Sequence, residues 1–260
     1  MSHDHEYQHM NPDRFADSAG VPWEGRHFEA NPWAGDDGSA DPNLVAAIQA
    51  LRSGDAVAED VLVAMRAARL LVPLLANLGE AGEGAHGQTV DKSADLSIVS
   101  ISSPDGQVAL PVFSSVAAMG RWNSTARPVP IETPRVALAA ASEGNGRIVL
   151  DPGSDTEFVV RRTAFRSLAE GSQWIHPVRD AEVRAEFTKV IDHSAEIENF
   201  AIRDGDPQAR LQGSEVVVFL KVAPNLAPDA LEQTLNSLSI GWAKSEAIAS
   251  RVDSISLKLV

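Results

Sequence analysis

The chain of 260 residues has no cysteine. This excludes disulfides, thiolate zinc sites, iron–sulfur clusters and a cysteine nucleophile, and it suits a reducing cytosol. No stretch approaches the roughly 18 consecutive apolar residues of a spanning helix. The opening MSHDHEYQHM sets acid and histidine where an export signal carries a basic region followed by an apolar run. The expectation is a soluble, cytoplasmic protein. A basic patch is missing too. With 22 Lys and Arg against 36 Asp and Glu, the net charge of −14 repels nucleic acid and anionic membrane surfaces, so neither is expected as a partner.

What is present suffices for a core, since 44% of the residues are hydrophobic. Residues 1–42 hold nine acids and two arginines, a net of −7 and half of the total. Residues 1–40 show neither the helical nor the strand period and read as an acidic, disordered arm, whose Phe28, Pro32 and Trp33 either stay in solvent or dock on the body.

Order is expected from Asp41-Pro42, an N-cap carboxylate before a proline at the first helical position, with Leu44, Ile48 and Leu51 at helical spacing. A second helix fits 57–67. The run LLVPLLANL at 70–78 is short and interrupted by Pro73, which suggests a strand near an edge or bulge. A Gly-rich loop follows over 79–94. Residues 96–101 and 108–113 flank Pro104-Asp105-Gly106 as a β-hairpin. A short helix capped by Ser114 or Ser115 runs to Trp122. Then come a strand at 127–131, an alanine-rich helix from Thr133-Pro134, and strands at 148–150 and 157–161 around the turn Asp151-Pro152-Gly153-Ser154. Past Gly171 the spacing predicts strands at 173–178, 195–203, 214–222 and 253–259 and helices at 180–192 and 228–240, with a further helical turn within 242–251. That βαββαβ order is ferredoxin-like. Its helices are expected to cover one face of the sheet through Phe187, Ile191, Leu231, Leu235 and Leu238. The fold class is α+β: an arm at 1–40, a mixed-sheet domain at 41–170 and a smaller ferredoxin-like unit at 171–260.

The segments Leu70-Leu71-Val72-Pro73, Leu110-Pro111-Val112-Phe113-Ser114-Ser115, Trp122, Arg127-Pro128-Val129-Pro130 and Leu150-Asp151-Pro152-Gly153-Ser154 resemble, in order and spacing, the N-terminal domain of the SseB family. The resemblance covers about Leu44 to Leu168, and the part after Gly171 looks like the family's smaller C-terminal domain. The family name refers to a serine-sensitivity phenotype, and the label is also attached to secretion-associated proteins. Neither implies a reaction, and the family pattern offers no catalytic residues to carry over.

Three motifs invite chemistry. His5-Glu6-Tyr7-Gln8-His9 matches the zinc-protease HExxH, but it has no apolar helical face and runs into Asn11-Pro12, so it reads as a solvated tail without a metal role. Gly82 to Gly87 matches GxGxxG. The polar, aperiodic stretch after it offers no helix N-terminus for a pyrophosphate, and this reads as a loop. Ser114-Ser115 lacks the flanking glycines of a nucleophile elbow, and helix capping explains it more simply. His176 and His193 stand without a paired motif and read as structural or exposed.

The candidate site is the strand-end cluster of Phe113, Ser114, Arg127, Asp151, Gly153 and Ser154. Arg127 supplies a planar, permanently charged donor fork and the serines supply hydroxyls. Alternatively the prolines and Gly153 only shape turns, Ser154 caps, and Arg127 pairs with Asp151 for structure. The function read from this is non-catalytic binding or regulation, without a cofactor, of a small polar ligand or an unidentified protein partner. An enzyme built around Ser114, Arg127 and Asp151, and a secretion-associated partner protein, are the alternatives. A homo-oligomer stays open.

Overall fold

The computed structural model describes residues 33–77, 82–83, 89–90, 95–103 and 105–260. The arm up to residue 32 and the His5–His9 motif lie outside the described residues, as does the Gly82–Gly87 motif apart from Gly82 and Glu83. Residues 33–37 make a turn in which Asp36 N–H donates to Trp33 O at 3.0 Å.

Helix α1 (Pro42–Ser53) starts as the sequence dictates. The Asp41 carboxylate accepts from the Asn43 and Leu44 N–H groups, and Leu44, Ile48 and Leu51 are buried. Contacts with the body begin slightly earlier: Gly38 O accepts from Val116 N–H and Ser39 O from the Arg69 guanidinium. In α2 (Ala58–Ala67) the Asp60 carboxylate accepts from Val57 N–H, and Val61, Leu62 and Met65 turn inward.

Strand β1 (Arg69–Asn77) is central. It pairs with β7 (Arg127–Glu132) along one side, and along the other with β4 (Asp95–Ile98) from Leu74 onward. Before that point Leu71 exchanges two backbone hydrogen bonds with Phe113, at 2.8 and 2.9 Å, so β1 also joins the second sheet. Pro73 falls between these two neighbours, where a strand can lack an N–H at little cost. The segment expected as a loop contains the short pair β2 (Gly82–Glu83) and β3 (Thr89–Val90). The expected hairpin is present only next to its turn: β5 (Ile101–Ser102) pairs with β6 (Val108–Val112), while residues 95–98 belong to the other sheet.

The second sheet runs β5-β6-β8-β9, with β8 (Arg147–Leu150) parallel to β6 and β9 (Phe158–Arg161) antiparallel to β8. Between β6 and β7 lies α3 (Val116–Trp122), whose Ser115 hydroxyl accepts from Ala118 N–H. Helix α4 (Thr133–Ser142) follows β7, and a 3-10 turn leads from β9 into α5 (Phe165–Glu170), which sequence spacing missed. Helices α1, α2, α4 and α5 bury one face of these strands, including Leu110, Val112, Ile148, Leu150, Phe158 and Val160. The alternate residues Ala109, Val149 and Val159 form a smaller cluster on the reverse face with Leu211.

The expected strand at 173–178 is irregular, so the βαββαβ order loses its first member. Two features explain the correction. Pro177 has no N–H to give a ladder, and His176 N–H donates to the Glu59 carboxylate at 2.9 Å. The segment is a strap, with Trp174 against the first core. Then come α6 (Ala181–Ile191), β10 (Ile197–Asp204), β11 (Val216–Val222), α7 (Pro228–Ala243), α8 (Glu246–Arg251) and β12 (Ile255–Leu259). Their sheet, ordered β10-β11-β12, pairs antiparallel and then parallel.

Both long helices cover one face of this sheet. Phe187, Ile191, Leu238 and Trp242 share a core with Val216, Val218 and Leu220, and the Phe187 and Trp242 rings meet edge-on at 5.2 Å. Gly241 permits the approach, since a β-carbon there would strike Val190 of α6. Helix α7 runs three residues beyond expectation, so its buried row is Thr234, Leu238 and Trp242, with Leu235 beside it. Leu231 is only half-buried, outside the cluster. Residues 38–260 form one compact unit with these two main cores. Among the described residues no helix is long and apolar enough to cross a membrane.

Candidate functional site

The parallel pair β6–β8 ends side by side, which brings Phe113-Ser114 next to Asp151. Asp151 has φ 45°, a conformation that non-glycine residues rarely adopt and that Asp tolerates better than most, and it is only 1% exposed. Its carboxylate explains the arrangement. Oδ1 accepts from Ser114 N–H at 2.8 Å, and Oδ2 accepts from Ser114 Oγ at 2.6 Å and Thr156 Oγ1 at 2.7 Å. Ser154 Oγ lies 3.0 Å from Thr156 Oγ1, and Gly153 N–H donates to Glu157 Oε2 at 2.6 Å. The turn is thus held from within, and Asp151, Ser114, Gly153 and Ser154 come together as expected.

Two of the expected residues take other places. Phe113 is fully buried below Trp122, ring centroids 5.2 Å apart, so it supports the site and offers a ligand no surface. Arg127 sits exposed on β7 opposite Leu74, and among the described residues no hydrogen bond or ion pair joins it to Asp151. The cation beside the turn is Arg121. Together with Trp122 it lines a groove of about 500 Å³ walled by Pro152, Gly153, Ser154 and Asp155. Arg121 makes no ion pair among the described residues. No group of three or more His, Asp or Glu residues placed to hold a metal occurs among them either.

The strands, turns and helices that build this groove all fall within residues 44–167, and those residues match the family model described as SseB protein N-terminal domain. The chain carries an SseB N-terminal domain. The match ends before the strap, so the half built on β10–β12 lies beyond it. Among curated proteins and among solved structures, nothing matches the chain.

A second set of charged groups escaped sequence reasoning. On the reverse face of the SseB domain, Arg147 of β8 and Arg161 of β9 stand side by side in register. Asp253, just before β12, bridges them: Arg147 Nη1 and Nη2 donate to its two oxygens at 2.7 and 2.8 Å, and Arg161 Nη1 donates at 2.9 Å. Arg147 also reaches Asp105, and Arg161 reaches Asp206, each at 2.8 Å. Asp206 in turn gathers the backbone of the 206–213 loop, accepting from the N–H groups of Arg210, Leu211 and Gln212. Beneath this lies Glu215, 1% exposed, whose Oε2 accepts from Asp253 N–H at 2.6 Å while its Oε1 has no partner among the described residues.

Burial sets the protonation of this junction. It pushes the Glu215 carboxyl up to about 7, against the pull of the Asp253 N–H and of Arg161. For Arg161 burial acts downward, but the hydrogen bonds to Asp253 and Asp206 prevail and hold the guanidinium above its ordinary value. Nearby, burial lowers the His176 imidazole although Asp204 opposes it. The enclosed space among Arg161, His176, Asp204, Asp206 and Glu215 has a volume of about 20 Å³, room for one water and no substrate. The junction joins the SseB domain to the C-terminal sheet.

Proposed function

We propose that this protein binds a small carboxylate or phosphate, or a partner loop bearing one, in the Arg121–Trp122 groove, and does so without turning it over. One observation carries the reading: both oxygens of Asp151 and the hydroxyl of Ser114 are spent on each other and on Thr156. A general base must reach its substrate's proton, and a serine nucleophile needs a base of its own. Asp151 is buried and engaged, and neither His176 nor His193 lines the groove. What the groove does present is an exposed guanidinium with no ion-pair partner among the described residues, beside an indole face and the turn's hydroxyls. Those groups suit recognition of a planar anion. A role in regulation, with the bound molecule as signal, follows naturally.

The test is a thermal-shift screen of small carboxylates and phosphates on the full chain. A ligand at a hundredfold excess over its dissociation constant stabilises the folded state by about 2.7 kcal/mol. Arg121→Gln should abolish the shift with folding intact, whereas Arg127→Gln should leave it in place. Ser114→Ala should cost stability, about 0.5–1.5 kcal/mol in urea unfolding, since it removes one of the two hydroxyl donors to a buried carboxylate oxygen and leaves Thr156 as the other. A hit indifferent to Arg121→Gln would reject the groove. Product formation that disappears in Ser114→Ala or Asp151→Asn would establish an enzyme instead.

A further inference from the structure

We infer that β12 is a dimerisation edge, through which two copies of this chain join their three-stranded sheets into one of six strands across a two-fold axis at Leu257. Open strand edges expose unpaired backbone groups, and folded proteins blunt them. Here four of the other edges among the described residues carry such devices. Strand β7 has Pro128 and Pro130, β5 is two residues long, and β9 is met by the 206–213 loop, where Val159 N–H donates to Ala209 O at 2.8 Å. Strand β10 is broken by a bulge between Ile197 and Asn199 and carries Glu198 and Arg203. Strand β12, Ile-Ser-Leu-Lys-Leu, has none. Among the described residues it has one neighbour, β11, and its single charged side chain is drawn back toward that neighbour, Lys258 Nζ standing 5.7 Å from the Phe219 ring centre.

The register is self-complementary. Val216 N–H donates to Ser254 O and Val260 N–H to Leu220 O, each at 3.0 Å, so the even-numbered residues of β12 turn their backbone groups toward β11. In a parallel pair the odd residues Ile255, Leu257 and Leu259 then turn theirs outward. An antiparallel copy centred on Leu257 sets Leu257 against its own equivalent and Ile255 against Leu259, which gives roughly six main-chain hydrogen bonds. The side chains agree. Ile255 and Leu257 share the apolar face with the α7 core, and Leu259, 49% exposed in the single chain, gains an isoleucine partner. On the other face Ser256 meets Lys258, so like charges are never opposed. Along the same edge runs a groove of about 450 Å³ lined by Trp242, Ile248, Ala249 and Val252, and the buried Trp242 indole N–H has no partner among the described residues. Apolar surface beside an unguarded strand is what an isologous interface covers.

The interface is read from the full chain by sedimentation velocity over a concentration series. Ser256 lies on the sheet face away from the helices, opposite Val217 in register, so substitutions there spare the core. Ser256→Lys places two lysines against the two Lys258 side chains and should weaken the dimer about tenfold, while Ser256→Glu pairs with them and should tighten it by a similar factor. Leu259→Lys should leave only monomer. A chain that remains monomeric through the millimolar range overturns the inference, as does a dimer whose affinity ignores both Ser256 variants. Circular dichroism melting of each variant separates loss of association from loss of fold.

Discussion

Asp253→Ala should lower the unfolding free energy by about 3–5 kcal/mol, the cost of removing one partner from a buried ion pair. The reason lies in what is left behind. Arg147 is 2% exposed and Arg161 is 8% exposed, and each gives Asp253 at least one of its strongest hydrogen bonds. Without that carboxylate two guanidinium groups lie side by side under the C-terminal sheet, each with one carboxylate left among the described residues, Asp105 for Arg147 and Asp206 for Arg161. Two cations at adjacent positions, no longer bridged by a shared carboxylate, also repel. Equilibrium urea unfolding measures the loss. The counter-variant is as informative: Arg147→Met, Arg161→Met and Asp253→Leu together should recover only part of it, because exchanging buried ionic groups for apolar side chains of similar volume is often neutral or stabilising, whereas here Asp105 and the buried Asp206 lose their cations. A single Asp253→Ala cost below about 1 kcal/mol would mean that the group is solvated and does not hold the two halves together.

Local signals in the sequence were strong wherever one residue type decides one geometry. Asp41 before Pro42, Ser115 before the α3 helix and the Asp151–Ser154 turn are such places, and each forms as its chemistry dictates. The strap at 173–178 misleads because Trp174, Ile175 and Val178 are residue types that favour strands and stand in one short run. What prevents pairing is Pro177 together with a carboxylate 117 residues away that takes the His176 N–H. Long-range partners of this kind leave no periodic trace. The same holds for the junction, whose arginines and acids come from β8, β9, the 206–213 loop and the approach to β12 and form no motif.

At the groove the sequence carries the right chemistry and misplaces one cation. Both Arg121 and Arg127 follow Phe113 closely, but α3 turns back from Ser115 and lays Arg121 and Trp122 beside the Asp151 loop, while β7 carries Arg127 away to the other sheet. The Ser115 cap was the available clue. A helix that starts two residues after a serine bound to Asp151 keeps its residues near that turn.

Glu215→Gln should remove a pH dependence of stability that the parent shows between about 4.5 and 7, the ordinary and the folded values of this carboxyl. The folded value is raised, so within that window the folded chain holds a proton that the unfolded chain has released. Stability therefore falls as pH rises, by up to about 1.4 kcal/mol per unit, and levels off above 7. Burial is the cause, and the neighbours do not cancel it: Arg161 and Arg147 favour the ionised form, whereas Asp253 opposes it. His176 works in the opposite sense. Its lowered value means that stability is lost as pH falls below its ordinary 6.5, so the parent's total profile mixes two slopes. The difference between parent and variant isolates Glu215, because His176 is common to both. Urea unfolding at half-unit steps from pH 4.5 to 8.5 should give a difference that grows in favour of the variant up to neutrality, reaching about 1–3 kcal/mol at pH 8. The gain sits at the lower end if the new amide N–H₂ replaces the unpartnered Oε1 without finding an acceptor. Parallel profiles for parent and variant would show that Glu215 is ionised throughout and that the junction tolerates its charge.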